Sequence, residues 1–196
     1  MKMKLLLFIV LSNVTCFAQT ARDYFFPAPG KNLSVYVMKG IPGISKDGEK
    51  KFVYYKDMGD SAIITTVYPD GQMKWKEEIV KIEDSKISLR HVKTDIYGDS
   101  DYGPDEMILL KIPADGKSSL ETISKGNMKH TFQSELLTIT VDSEEKKALK
   151  ITQKKMISFS DYYVQGIGYY KHTSGNGTQL EILTEQKYEA KPPKLK

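Results

Sequence analysis

From residue 33 onward the chain reads as short runs of alternating apolar and polar residues broken by turn signals. Lys86-Ile87-Ser88-Leu89-Arg90 shows the period of two that a half-buried strand requires. The same reading predicts strands at Leu33–Met38, Lys51–Lys56, Ala62–Tyr68, Met73–Ile82, Ile87–Thr94, Met107–Ile112 and Leu120–Ser124. It continues with Met128–Val141 (broken once), Ala148–Ile157, Asp161–Gln165, Ile167–His172 and Gln179–Tyr188. Between them stand Ser45-Lys46-Asp47-Gly48, Pro69-Asp70-Gly71, Asp115-Gly116, Lys125-Gly126-Asn127 and Ser174-Gly175-Asn176-Gly177. Those residues supply the fixed or positive φ of tight turns.

Such spacing, with β-branched and aromatic residues dominating the runs, predicts an all-β, mainly antiparallel fold. The expected form is a bent sheet or half-open barrel with at most one or two short helices. Asp142–Lys150 fits either a capped helical turn or a hairpin with Ser143-Glu144-Glu145-Lys146 at its tip, and the hairpin is preferred. The tail from about residue 190, with Lys191-Pro192-Pro193-Lys194, is expected to fray.

The first residues have another character. In MKMKLLLFIVLSNVTCFAQT, Lys2 and Lys4 precede an apolar run from Leu5 to Leu11, and Cys16-Phe17-Ala18 resembles a cleavage site. This predicts a signal peptide over 1–18, a single β domain over 19–196, and export to the periplasm or outside the cell. The rival is a lipoprotein anchored at Cys16, although Asn13-Val14-Thr15 departs from the usual residues before such a cysteine. Cys16 is the only cysteine, so the processed chain is expected to have neither disulfides nor thiol chemistry. Losing Lys2 and Lys4 lowers the net charge from +4 to +2, with both signs interspersed, which argues against a nucleic-acid partner.

"YYVQGIGYYK", residues 162–171, raises the question of a phosphate-cradling loop. Gly166-Ile167-Gly168 lacks a third glycine and a following helix pattern, so it reads as a bulge or bend between strands. This stretch resembles the closing Tyr-x-x-Gly-Val-Gly-x-x-Lys pattern of exported bacterial proteins of unknown function. Many of those open with Asp-Tyr-Phe-Pro; this chain has Asp23-Tyr24-Phe25-Phe26-Pro27-Ala28-Pro29-Gly30, then Asn32-Leu33-Ser34-Val35-Tyr36. It departs in carrying an extra Phe and in lacking tryptophan in that first strand. The set is similar in architecture to the lipoprotein-carrier (LolA-like) group, which implies a bent antiparallel sheet around an apolar cavity and brings no catalytic residues.

Other chemistry is thinly represented. Asp99 and Asp101, with Asp105 in the same loop, form a weak calcium candidate; counted from Asp99, Pro104 and Leu110 stand where an EF-hand wants Gly and Glu. His91 is expected to share a face with Ile87 and Leu89, His130 with Met128 and Phe132, and His172 with Tyr170; no zinc spacing links them. Gly43-Ile44-Ser45-Lys46-Asp47 lacks the second glycine of a nucleophile elbow, and Ser100 fails the same test. Glu77-Glu78 and Glu144-Glu145 point to opposite faces as strand neighbours.

What remains is apolar and aromatic. Trp75 reads first as a core residue. The sharper expectation is a ligand site formed by Met73, Trp75, Tyr163 and Tyr170, without catalytic residues, metal or cofactor. Its ligand would be a lipid or lipidated protein. The alternatives are an interaction module docking on an envelope protein, and a hydrolase or lyase on a β scaffold.

Overall fold

A computed structural model describes residues 19–39, 47–69, 73–101, 107–125, 128–154 and 158–190, with backbone alone for 121–125, 128–130 and 154. Among the described residues one short helix, α1 (Ala21–Phe25), precedes thirteen strands. They are β1 (Leu33–Met38), β2 (Lys50–Asp57), β3 (Ser61–Val67), β4 (Trp75–Ile82), β5 (Lys86–Thr94), β6 (Gly98–Asp101) and β7 (Met107–Lys111). After these come β8 (Ser118–Lys125), β9 (Met128–Val141), β10 (Glu144–Lys154), β11 (Phe159–Val164), β12 (Gly168–Ser174) and β13 (Gln179–Lys187).

All thirteen belong to one antiparallel sheet, ordered β6-β5-β4-β3-β2-β1-β13-β12-β11-β10-β9-β8, with β7 beside β6 on the free edge of β5. The sheet is therefore two meanders joined where β1 pairs with β13, Leu33 lying opposite Lys187. It is not closed: β7 and β8 are consecutive in sequence but unpaired. It nevertheless curls, since one buried cluster unites Ile64 and Val80 of the first meander with Phe132, Leu149 and Ile151 of the second. The expected all-β, open architecture is what the chain adopts.

Alternation sets the inner face. In β3, Ala62, Ile64 and Thr66 are buried while Ser61, Ile63, Thr65 and Val67 are half-buried. Three details differ from the sequence reading. β9 runs unbroken over 14 residues. The β9–β10 turn consists of Asp142 and Ser143, both at positive φ (49° and 68°), so Glu144 already opens β10 and the helical alternative is excluded. β6 occupies part of the expected acidic loop.

Helix α1 is a single turn. The Asp23 carboxylate accepts the Thr20 N–H at 2.8 Å, the Ala21 N–H donates to the Asp84 carbonyl at 2.7 Å, and Pro27 forbids extension. Ala21 and Tyr24 are completely buried and Phe25 nearly so, joining residues of both meanders in the main core. One end of the curled sheet is thus filled by α1.

Candidate functional site

The bend at Gly166–Gly168 is the seat of α1. The Gly166 N–H donates to the Asp23 carbonyl at 2.8 Å. At Gly168, with φ of +86°, an added Cβ would lie 2.6 Å from the Phe26 carbonyl oxygen and 2.9 Å from that of Phe25. Gln186 ties the two segments together: its amide nitrogen donates to the Ile167 carbonyl (2.7 Å) and Ser34 Oγ (3.0 Å), while its oxygen accepts the Ala28 N–H (3.1 Å). The stretch around Asp23–Gly30 and the Tyr-rich stretch around Gly166 therefore form one structural unit. The glycines bring backbone against backbone, not backbone against phosphate.

Above α1 lies a layer of aromatic rings. Phe25 stacks on Tyr163 (6.5 Å between centroids, 20°) and meets Tyr55 edge-on (6.2 Å, 86°). Tyr169 continues the layer, 5.5 Å from Tyr163 and 5.2 Å from Tyr36, whose hydroxyl donates to the Tyr169 carbonyl at 2.9 Å. Such pairs stabilise beyond the area they bury. Burial pushes Tyr36, Tyr163 and Tyr169 well above the usual phenol range and Tyr55 up to about 12; nearby carboxylates, chiefly Glu181 and Asp161, add to the rise at Tyr163 and Tyr169.

These shifts fix the alkaline behaviour. In the unfolded chain tyrosine ionises near pH ~10, whereas the four inner tyrosines hold their protons in the fold. Their contribution is complete below pH ~10 and is lost as pH rises through the folded values, past about 12 for Tyr55. Tyrosinate absorbance and near-ultraviolet circular dichroism, followed together up the pH scale, will show a late group of phenols ionising as tertiary structure disappears. A single ionisation of every tyrosine near pH ~10 in a still-folded protein would contradict the layer.

Beyond the rings, the same inner face carries ion pairs. Lys51 pairs with Glu181 across β1, both side chains only 14% and 12% exposed, and the Lys51 ammonium lies 5.0 Å and 5.3 Å from the ring centroids of Tyr36 and Tyr169. Lys76 Nζ is 2.9 Å from Glu78 Oε2. Burial is the largest single influence and would lower Lys76, but the Glu78 carboxylate together with Tyr68 and Glu181 outweighs it and the net shift is upward. His172 Nδ1 lies 2.7 Å from Asp161 Oδ1, and its ring stacks on Phe159 at 5.2 Å. Tyr169 donates to the same Asp161 oxygen at 3.4 Å.

Bulges decide which side chains reach this face, and two of them redirect the histidines. Tyr162 is opposite Lys171 and Tyr163 opposite Tyr169, leaving Tyr170 unpaired; Tyr169 and His172 then both point inward. His172 thus does not share Tyr170's face, as simple alternation implies. Likewise Val80 is opposite Leu89 and Ile79 opposite His91, leaving Arg90 extra. His91 is carried to the outer face, away from Ile87 and Leu89, and pairs at 2.6 Å with Asp101.

The four residues read as a ligand set do not converge. Tyr163 lies inside, in the aromatic layer. Tyr170 packs against a small outer cluster of Val141, Ala148 and Val164. Trp75 is half-buried, and the regular alternation of β4 puts it opposite the face of Lys76, Glu78 and Val80, with Met73 two residues ahead of it in the preceding loop. Asp99 and Asp101 are exposed on β6, Asp99 Oδ1 3.9 Å from Lys93 Nζ; Asp105 lies outside the described residues, as does the side chain of His130. No three potential metal ligands come together among the described residues. Lys51, Tyr36 and Glu181 gave no signal in the sequence, because partners on β1, β2 and β13 are brought together only by the long-range joint.

Beside α1 lies a notch of about 580 Å³ bordered by Phe26, Pro27, Tyr55, Arg22, Asp57 and Gln165. Its volume suits a small ligand. Its guanidinium is already engaged by both Asp57 oxygens and the Gly59 carbonyl, which anchor α1 to the β2–β3 turn. The inner face, with fixed rings and paired charges, is the better-equipped recognition surface.

Comparison with protein-family models, with curated proteins and with solved structures finds no match for this chain.

Proposed function

We propose that this is an exported, non-enzymatic binding protein of the cell envelope that takes an apolar or amphipathic ligand, such as a lipid or lipidated chain, into the concavity of its sheet. The supporting observation is the layering of the inner face: α1 fills one end, tyrosine rings follow, and half-buried ion pairs come next. Ion pairs withdrawn from water commonly stabilise a fold less than apolar residues of similar size would. Their place beside an aromatic layer suits a ligand with an apolar part and a polar head. Side-chain exposures of 12–28% among these groups show that solvent still reaches them.

The test is native mass spectrometry of protein purified from an envelope fraction, with organic extraction of whatever travels with it. The expected result is a stoichiometric amphiphile and a chain beginning at Gln19. An unliganded mass, together with no uptake of added amphiphile, overturns the binding reading. It would favour a docking module, for which the β5–β6 turn offers Tyr97 and Ile96, 81% and 49% exposed. An acylated Cys16 would instead identify a membrane-anchored lipoprotein.

A further inference from the structure

The Tyr36, Tyr169 and Glu181 side chains form a cradle that already holds an ammonium group, the one belonging to Lys51. The ammonium stands 5.0 Å and 5.3 Å from the two ring centroids, within the range of cation–π attraction, and is ion-paired with Glu181. Tyr36 is fixed by its hydrogen bond to the Tyr169 carbonyl, and Tyr169 by its own bond to Asp161. The cradle is therefore preorganised, and its two aromatic walls come from strands on either side of the joint between the meanders.

The surrounding charge has the same preference. Among the described residues of this layer, three carboxylates (Glu78, Asp161 and Glu181) face two ammonium groups (Lys51 and Lys76) and the imidazole of His172, which pairs with Asp161. After burial, the carboxylates of Glu181 and Asp161 are the leading causes that push Tyr169 upward, and Glu181 is the one that reaches the cradle. A cation is stabilised there, and an anionic head would meet like charge.

We propose that the cradle is an ammonium-recognition site, that Lys51 is its resident occupant, and that the head group of a cationic or zwitterionic amphiphile displaces Lys51 to bind over Tyr36 and Tyr169 against Glu181. The proposal rests on the amphiphile-binding reading and narrows it to a class of head group. Lys51 can vacate the cradle because its flexible stem ends in a group that water hydrates well. The exchange conserves charge against Glu181.

Hexyltrimethylammonium and hexanoate, which share a chain length and differ in head charge, test this by calorimetric titration of the mature protein. The ammonium is expected to bind at least about tenfold more tightly than the carboxylate. Lys51→Met, which removes the resident ammonium, should tighten hexyltrimethylammonium by a further factor of about ten, and Glu181→Gln should weaken it by as much. Because Lys51→Met leaves Glu181 unpaired, its melting temperature is measured as well. Tetramethylammonium should raise it by more than it raises the wild type, while the Lys51→Met/Glu181→Gln double variant should show no such rescue. Tighter binding of hexanoate, or a Lys51→Met protein indifferent to ammonium ions, overturns the cradle and leaves amphiphile binding standing. Failure of both probes to bind, with no ligand extracted, overturns both.

Discussion

Replacing Phe25 by alanine lowers the free energy of unfolding by about 3–5 kcal/mol, the range for deleting a buried aromatic ring. The side chain is 6% exposed and touches three other rings: it stacks on Tyr163 and lies edge-on to Tyr55 and Phe26. It belongs to a one-turn helix that has no stability of its own, so the cavity left behind would also remove what holds α1 in place. Urea denaturation followed by circular dichroism measures the effect as a lower midpoint with little change in slope. A loss below about 1 kcal/mol would mean that the interior is not organised around α1.

Gly168→Ala is the second large effect, and its pairing with Gly166→Ala isolates the cause. Both glycines have positive φ, +73° at Gly166 and +86° at Gly168, so each alanine carries the left-handed penalty of about 1–2 kcal/mol. At Gly166 nothing lies within 4 Å of the added Cβ, and the penalty should end there. At Gly168 the methyl would sit 2.6 Å from a backbone carbonyl oxygen, a contact that no side-chain rotation relieves. Either the Phe25–Phe26 backbone or β12 has to move, adding about 1–3 kcal/mol as overpacking does elsewhere. Equal losses in the two variants would show that Gly168 does not seat α1.

Much of the sheet was legible because its physical signature is local. Alternation marked β3 and β5, and turn residues separated the hairpins. The parts that were not legible each have a cause. Helix α1 is too short for a 3.6-residue period to register, and it is held by Gly166 and Gly168 far along the chain. β6, Gly-Asp-Ser-Asp, reads as loop because charged residues on an edge strand hide its pairing.

The site was harder still. Alternation in β4 separated Trp75 from Lys76 but could not say which faces inward, and the lysine does, with Glu78 beside it. The bulges at Arg90 and Tyr170 each add one residue and invert every face beyond them, without a mark in composition. The doubled tyrosine at 169–170 held the clue: one ring turns in and the other out.

The joint between β1 and β13 also governs how the chain can assemble. Most strand neighbours are neighbours in sequence, so each meander can zip from its own hairpins at little loop-closure cost. Apart from β5 with β7, the exception pairs Leu33 with Lys187, and just beyond it Asn32 and Glu189 exchange two hydrogen bonds. The entropy of bringing distant residues together is concentrated in that one seam. With the ends linked there and the chain opened between β7 and β8, the same sheet would run from β8 through β13 and β1 to β7 as one unbroken zipper.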